Sequence, residues 1–355
     1  MEDAKFLGTI AGRFYKNAPD AYAPGQPFNL KICHRDDELS RLTLTVFDAV
    51  DVDGVPFPEF NGVPDPLLDP NIPVVFWYGW SDGPMVKAFE GVLVAKTINT
   101  GGSVTTTTFL AAHKSFKLKK KSKMKTYENL SVAQMLKMKA AEHGSTLIID
   151  ATAAADAELN NPRSVFYQLG EPNIDLMYRY TRELGYIFNT VKGNQIILRW
   201  DKSSGQTFSY ARGDEFIKSL SLRQEQHDSK RSARRQGMTH ETRPGKHSHH
   251  KPIIEPADSE HRDTELVQAP LAKSTQNHRR PLAKGAVDGK AKRRQIEGNE
   301  LTLSIRFEPQ MFNIEMVSIS GHGPQINGLY HTRSVEHTLG NAAATTNIEC
   351  WKPQK

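Results

Sequence analysis

The stretch NIDLMYRYTRELGYIFNTVKGNQIILRW, residues 173–200, combines a helix and a hairpin in one run. Leu176, Met177, Tyr180 and Leu184 recur at helical spacing. The helix starts at Asn173 or Asp175, and Gly185 stops it. YIFNTVKGNQIILRW then reads as a hairpin that turns at Lys192-Gly193-Asn194. Upstream, YENLSVAQMLKMKAAEHGSTLIID (127–150) gives a second helix. Ser131 caps it, with Gln134 completing a capping box. Val132, Met135, Leu136, Met138 and Lys139 form its stripe, and Gly144 ends it.

On both sides of this α/β piece the pattern is β. Towards the N-terminus stand FNLKICH, SRLTLTVFDAV, PVVFWYGW, AFEGVLVAKTINT and SVTTTTFLAAH, punctuated by DVDGVPFPEFNGVPDP, SDGP and NTGG. Towards the C-terminus, QTFSYARGDEFIKSLSLRQEQ continues in β style. ELTLSIRF, MFNIEMVSIS, GLYHTRSVEH and TTNIECW follow as four strand candidates. Short strands with Gly and Pro between them suggest a barrel or a sandwich.

The chain has 355 residues, enough for two domains or three and for a real core. Its two cysteines, Cys33 and Cys350, exclude a disulfide framework and a Cys-type zinc site and suit a reducing compartment. The N-terminus lacks the basic and apolar regions of a secretory signal, and no apolar run approaches the roughly 20 residues that span a bilayer. The net charge of +6 is local. Between Arg223 and Glu300 lie 17 Lys+Arg against 11 Asp+Glu and no aromatic residue, which leaves 29 charges of each sign elsewhere. Periodicity is absent from about His227 to Ile296, so 228–280 reads as a polar, basic loop. PLAKGAVDGKAKRRQIEG, from Pro281, reads as a short helix.

Candidate chemistry is sparse. His247, His249 and His250 cluster in KHSHHK, and imidazole binds zinc, nickel or copper. Neither an HExxH nor a cysteine pair supports them, so a metal-dependent hydrolase is the weaker alternative and a solvated loop the better reading. GHGPQING (321–328) departs from the Rossmann spacing, and Gly321, Gly323 and Gly328 read as turn or bulge positions. Asp36-Asp37 and Asp51/Asp53 stand in turn-like stretches without the context of a general acid or base. The lysine run 114–125 and the basic segment 229–294 allow a nucleic-acid-binding alternative through counterion release. Aromatics for stacking are nearly missing from both, and no reading module is visible, so solvated charge is preferred.

The order of these parts resembles the phage late control gene D proteins, baseplate hub proteins of contractile tails and related injection machines. LSRLTLTVFDAVD and PNIPVVFWYGWSDGPMVKAFEGVLVAKT are similar to the family's opening β region, with Phe89 and Gly91 at its F-x-G step. Asp175, Glu183, Leu184, Gly185 and Gly193 occupy the acidic residue, the helix end and the hairpin of its most recognisable block. Gly321, Gly323, Gly328, Tyr330 and His337 are similar to its ending. The usual Gly-aromatic pair after His337 is replaced here by Asn341-Ala342-Ala343-Ala344.

The resemblance implies a β-rich α+β chain with two tube-like β-barrel domains, at 1–116 and at 201–227 with 281–355. A helix-containing α/β insertion would fill 117–200. It implies a non-enzymatic homotrimer without cofactor that joins the hexameric tail tube to the trimeric spike, touching other baseplate proteins. Nucleic acid and membrane insertion are not expected. Assembly would occur in the bacterial cytoplasm, within a phage virion tail or an injection particle, and the chain would carry no needle domain.

Overall fold

The computed structural model describes residues 4–16, 27–48, 69–101, 104–119, 122–142, 144–155, 157–160, 162–199, 205–224, 231–241, 249–255, 263–268, 299–340 and 344–352. Asp51, Asp53, His247 and the expected helix after Pro281 lie outside them.

Seven strands form the first β region: β1 (Ala4–Ile10), β2 (Arg13–Lys16), β3 (Pro27–Arg35), β4 (Arg41–Asp48), β5 (Pro73–Trp80), β6 (Val86–Gly101) and β7 (Val104–His113). Alternation decides their faces. In β5 Val74, Phe76 and Tyr78 are buried while Pro73 is exposed and Val75 and Trp77 are half-buried, as expected of a sheet with one covered face. Four of the chain's later strands continue this sheet: β14 (Ile217–Gln224), β18 (Asn299–Arg306), β20 (Gly328–Gly340) and β21 (Ala344–Trp351). The order is β14-β18-β21-β20-β3-β4-β7-β6-β5-β1-β2, with β19 (Met316–Ser320) on β20 and β13 (Thr207–Ala211) on β19.

Among the described residues no closed barrel is formed, and the two β regions share one sheet. One 13-stranded sheet runs through both β regions, and among the described residues its paired path ends at β14 and β2. The seam is β20 against β3, antiparallel from Ser334↔Arg35 to Gly340↔Asn29. Beneath it the core is shared. Phe307, Phe312 and Leu339 from the second region pack with Leu30, Leu42, Phe76 and Phe89 from the first.

Between the β regions lies the α/β piece. It contains a 3₁₀ turn (Lys114–Lys119), β8 (Ser122–Leu130), α1 (Val132–Ala141), β9 (Leu147–Ile149), α2 (Ala151–Ala154), α3 (Ala157–Asn160), β10 (Arg163–Pro172), α4 (Asn173–Glu183), β11 (Tyr186–Val191) and β12 (Asn194–Arg199). Ser131 and Gln134 form the capping box of α1. The residues just before it are strand β8, paired with β10, rather than the start of a helix. Lys192 and Gly193, with φ of 53° and 82°, form the two-residue turn between β11 and β12. Two successive positive φ values match the right-handed twist of the flanking strands.

The segment expected as a loop also contains strands. β15 (Arg231–Glu241) pairs with β16 (His249–Glu255) and β17 (Asp263–Gln268) in a separate three-stranded sheet. Strand ladders are main-chain hydrogen bonds, so a chain without an aromatic core can still pair. The composition pointed to a loop and carried no sign of the main-chain pairing.

Candidate functional site

Three parts of the chain meet at the turn between β3 and β4, residues 35–40. Asp36 Oδ1 accepts from Asn189 Nδ2 of β11 and from Asn313 Nδ2 of the second β region, both at 3.1 Å. The Asp36 amide donates to the Arg333 carbonyl at 2.9 Å. Asp37, held at φ 57°, makes two hydrogen bonds with the Phe188 main chain. Its amide donates to the Phe188 carbonyl, and its Oδ1 accepts from the Phe188 amide, each at 3.1 Å. Asp and Asn tolerate this left-handed conformation better than most residues. All six residues of β11 are buried, and the turn supplies partners for the Asn189 amide nitrogen and the Thr190 hydroxyl.

Behind the turn lie three buried histidines. His34 Nδ1 is 2.7 Å from Ser40 Oγ. Ser40 Oγ donates to the Thr190 carbonyl, and Ser40 N donates to Thr190 Oγ1 at 2.8 Å. With the serine proton given to the main chain, His34 Nδ1–H is the donor to Ser40. His113 Nδ1 is 2.9 Å from Ser115 Oγ, which accepts from Gln195 Nε2 of β12 at 2.7 Å. His337 Nε2 lies 2.8 Å from the Met311 carbonyl and Nδ1 3.0 Å from Thr346 Oγ1. The rings of Tyr78, Phe307 and Phe312 surround it at centroid distances of 4.9, 5.7 and 6.3 Å.

Burial, then repulsion from His337, holds His34 down to about 3. Burial, then Lys114, brings His113 to about 3, with the Gly193 main chain opposing. Burial brings His337 to about 4 against the Met311 hydrogen bond. Near neutrality all three are uncharged. The His34–Ser40 pair superficially resembles a nucleophile with its base. However, its residues are 1% and 2% exposed, and an imidazole of such low basicity is a poor base at neutral pH. What the arrangement can do is fix the angle between the two β regions and hold hairpin β11–β12 against both. Ser40→Ala removes the partner of His34 and of Thr190 together. It is expected to lower stability by about 1–3 kcal/mol in urea denaturation; a loss under about 0.5 kcal/mol would show that the joint is not bound through Ser40.

The sequence-predicted positions divide into those at the joint and those away from it. Phe89 and Gly91 lie in β6. Phe89 is 1% exposed, and a Cβ on Gly91 would enter the Ala112 carbonyl oxygen of β7. Gly193 faces Glu90, whose Cβ would lie 2.9 Å from a Cβ on the glycine. Burial raises the Glu90 carboxyl, but hydrogen bonds from Lys87 and Lys114 outweigh it and leave it below the ordinary range. Phe89, Gly91, Gly193 and His337 are thus gathered around the joint. Asp175 is exposed in the first turn of α4, Glu183 is the last residue of that helix, and Leu184 and Gly185 close it. Gly321, Gly323 and Gly328 bound the β19–β20 turn, and Tyr330 is buried in the second region's core. In the sequence Asp36 and Asp37 read only as turn residues, and nothing marked Ser40, Asn189 or Thr190. The signal available in the sequence was the acidic pair itself.

Among the described residues no site for the alternative chemistries is assembled. His249 and His250 lie on β16, opposite Glu241 and His240, in a different sheet from the joint's strands. Among the described residues no group of three or more His, Cys, Asp or Glu is placed to hold a metal. In the lysine run, Lys114 pairs with Glu90 at 3.0 Å and Lys123 with Glu142 at 3.1 Å, which reduces the charge offered to phosphate. No helix among the described residues is long and apolar enough to cross a membrane.

The sequence matches no protein-family model and no curated protein. Its fold does have relatives among solved structures. It is similar to the 43 kDa tail protein of prophage MuSo2 from Shewanella oneidensis, with a TM-score of 0.68 and 12% identity over 98% of both chains. It is similar to a tail protein from Neisseria meningitidis, with a TM-score of 0.67 and 10% identity over 99% of this chain and 97% of that one. A third is an E. coli component of the type VI secretion system, described as similar to T4 bacteriophage tail proteins. Its TM-score is 0.58 at 10% identity, over 98% of this chain and 77% of that one. At these identities the likeness is one of fold: the chain has the β-rich architecture of tail proteins and type VI secretion components.

Proposed function

We propose that this chain is a structural subunit of a phage tail or a related contractile injection system, and within it the baseplate hub between the hexameric inner tube and the trimeric spike. The observation that carries the reading is the sheet itself. It joins two β regions in one chain and, among the described residues, ends at β2 and β14. Each end presents an aromatic residue to solvent: Phe14 in β2 is 74% exposed and Phe216, just before β14, is 42% exposed. Open edges invite further pairing, and a head-to-tail contact between unlike edges forms a ring where its rotation closes, as a threefold rotation does after three copies. Three copies so joined present six β regions, a geometry suited to meeting a sixfold tube on one side and a threefold spike on the other. The fold likeness to tail proteins supports the same role.

The expected result in light scattering is a trimer, and Phe14→Glu with Phe216→Glu is expected to reduce it to monomers without lowering thermal stability. A wild-type chain that stays monomeric, alone and with tube and spike proteins added, overturns the hub reading.

A further inference from the structure

The joint joins three parts of the chain through histidines that the proposed role does not require. We propose that it is an acid-released latch: protonation of His34 and His113 undocks hairpin β11–β12 while the 13-stranded sheet stays paired. This does not depend on the hub reading.

The geometry makes the response local. His34 and His113 belong to β3 and β7, but each bonds a serine that holds the hairpin. Ser40 is bound to Thr190 of β11, and Ser115 accepts from Gln195 of β12. If His34 gained a proton on Nε2, the new charge would sit in a site 1% exposed, beside the His337 ring and the Lys192 ammonium. Lys192, at the hairpin's tip, lies 4.3 Å from the centre of the Phe312 ring, which itself packs on His34 at 5.3 Å. A proton on His113 would join Lys114 and Lys87, with Glu90 as the opposing charge. Asp36 faces the joint from the β3–β4 turn, held by two amides, and Glu315 faces Lys192 from the second β region. The charges nearest both histidines are thus largely cations. Lifting the hairpin would let water reach both imidazoles and Lys192 together.

His337 behaves differently. Its hydrogen-bond partners, Met311 and Thr346, belong to the second β region, and its aromatic box remains when the hairpin leaves. It therefore does not drive the release.

The sign follows from linkage. An exposed histidine titrates near 6.5, so above that pH neither the docked nor the open hairpin holds the proton and docking is at full strength. Between about 6.5 and 3 the open form binds protons that the docked form refuses, and docking weakens. At pH 5 each histidine that becomes exposed favours opening by about 30-fold. Free carboxylates are still largely ionised at that pH, which separates this effect from general acid unfolding.

Hydrogen exchange of the whole chain at pH 7.5 and pH 5.0, corrected for the intrinsic rate, tests the latch. Peptides covering 186–199 are expected to lose protection by at least tenfold at pH 5.0 relative to β4 and β7 peptides in the same sample. His34→Asn with His113→Asn keeps an amide near each Nδ1 position and is expected to abolish that difference. If this variant does not fold, the wild-type comparison still decides. Hairpin protection that is unchanged at pH 5.0, or lost together with that of β4 and β7, overturns the proposal.

Discussion

Gly91→Ala is expected to cost about 3 kcal/mol or more, enough to leave little soluble folded protein. Gly91 sits in β6 between Val74 of β5 and His113 of β7. A Cβ there would enter the Ala112 carbonyl oxygen and lie 2.7 Å from the Phe89 ring. Neither obstacle can yield. Ala112 is paired on both sides, to Val92 and to Arg41, so moving its carbonyl breaks the β7 ladder. Phe89 is enclosed in the main core. Gly83 provides the contrast, since a Cβ there would find its nearest neighbour at 3.4 Å. Gly83→Ala is expected to stay within about 0.5 kcal/mol of the parent. Soluble yield and urea midpoints measure both, and a Gly91→Ala protein with the parent midpoint would show that β6 has room the geometry denies.

A comparable loss is expected from Glu142→Ala, through charge rather than volume. Lys139, on the buried face of α1, is 0% exposed. Its ammonium bonds Glu142 at 2.9 Å and lies 4.5 Å from the centre of the Tyr127 ring. Glu142 also accepts from Lys123 and from Asn173 Nδ2, both at 3.1 Å. Burial pulls the Glu142 carboxyl up, but the hydrogen bonds from Lys139 and Lys123 outweigh it and take it to about 2. Removing the carboxylate leaves a buried cation uncompensated, at about 3–5 kcal/mol. Lys139→Met removes the charge and keeps the packing, so it should lose much less, and adding it to Glu142→Ala should restore most of the stability. Equal losses from both single changes would show that the lysine stem, not its charge, is what matters.

What the sequence disclosed was local. Ser131 with Gln134, Gly185 after α4, and the Lys192-Gly193 turn are decisions made within a few residues, and each appears in the structure where those residues place it. Phe89, Gly91 and His337 stood out through resemblance, but their physical reasons lay in partners far along the chain. Gly91 must be small because of Ala112, and His337 is caged by Tyr78. The ribbon of β8 and β10 pairs Leu130 with Arg163 across three helices and a strand. No periodicity signals such a partner. Lys139 read as one more residue of an amphipathic stripe, and only its neighbours reveal a buried charge. The acidic pair Asp36-Asp37 looked like an ordinary turn because Asn189 and Asn313, which give it meaning, lie in two other parts of the chain.

The seam between β3 and β20 also sets a schedule. Arg35 and Ser334 are register partners, so the strand that completes the N-terminal sheet emerges from the ribosome some 300 residues after the strand it covers. At roughly 5–20 residues per second, β3 waits about 15–60 s with that edge open. During that interval the nascent chain exposes a ready template for strands of other nascent chains on the same message. Productive synthesis therefore depends on the C-terminal strands arriving before a neighbour does. A stall late in translation should be more damaging to yield than an equally long stall near the start codon.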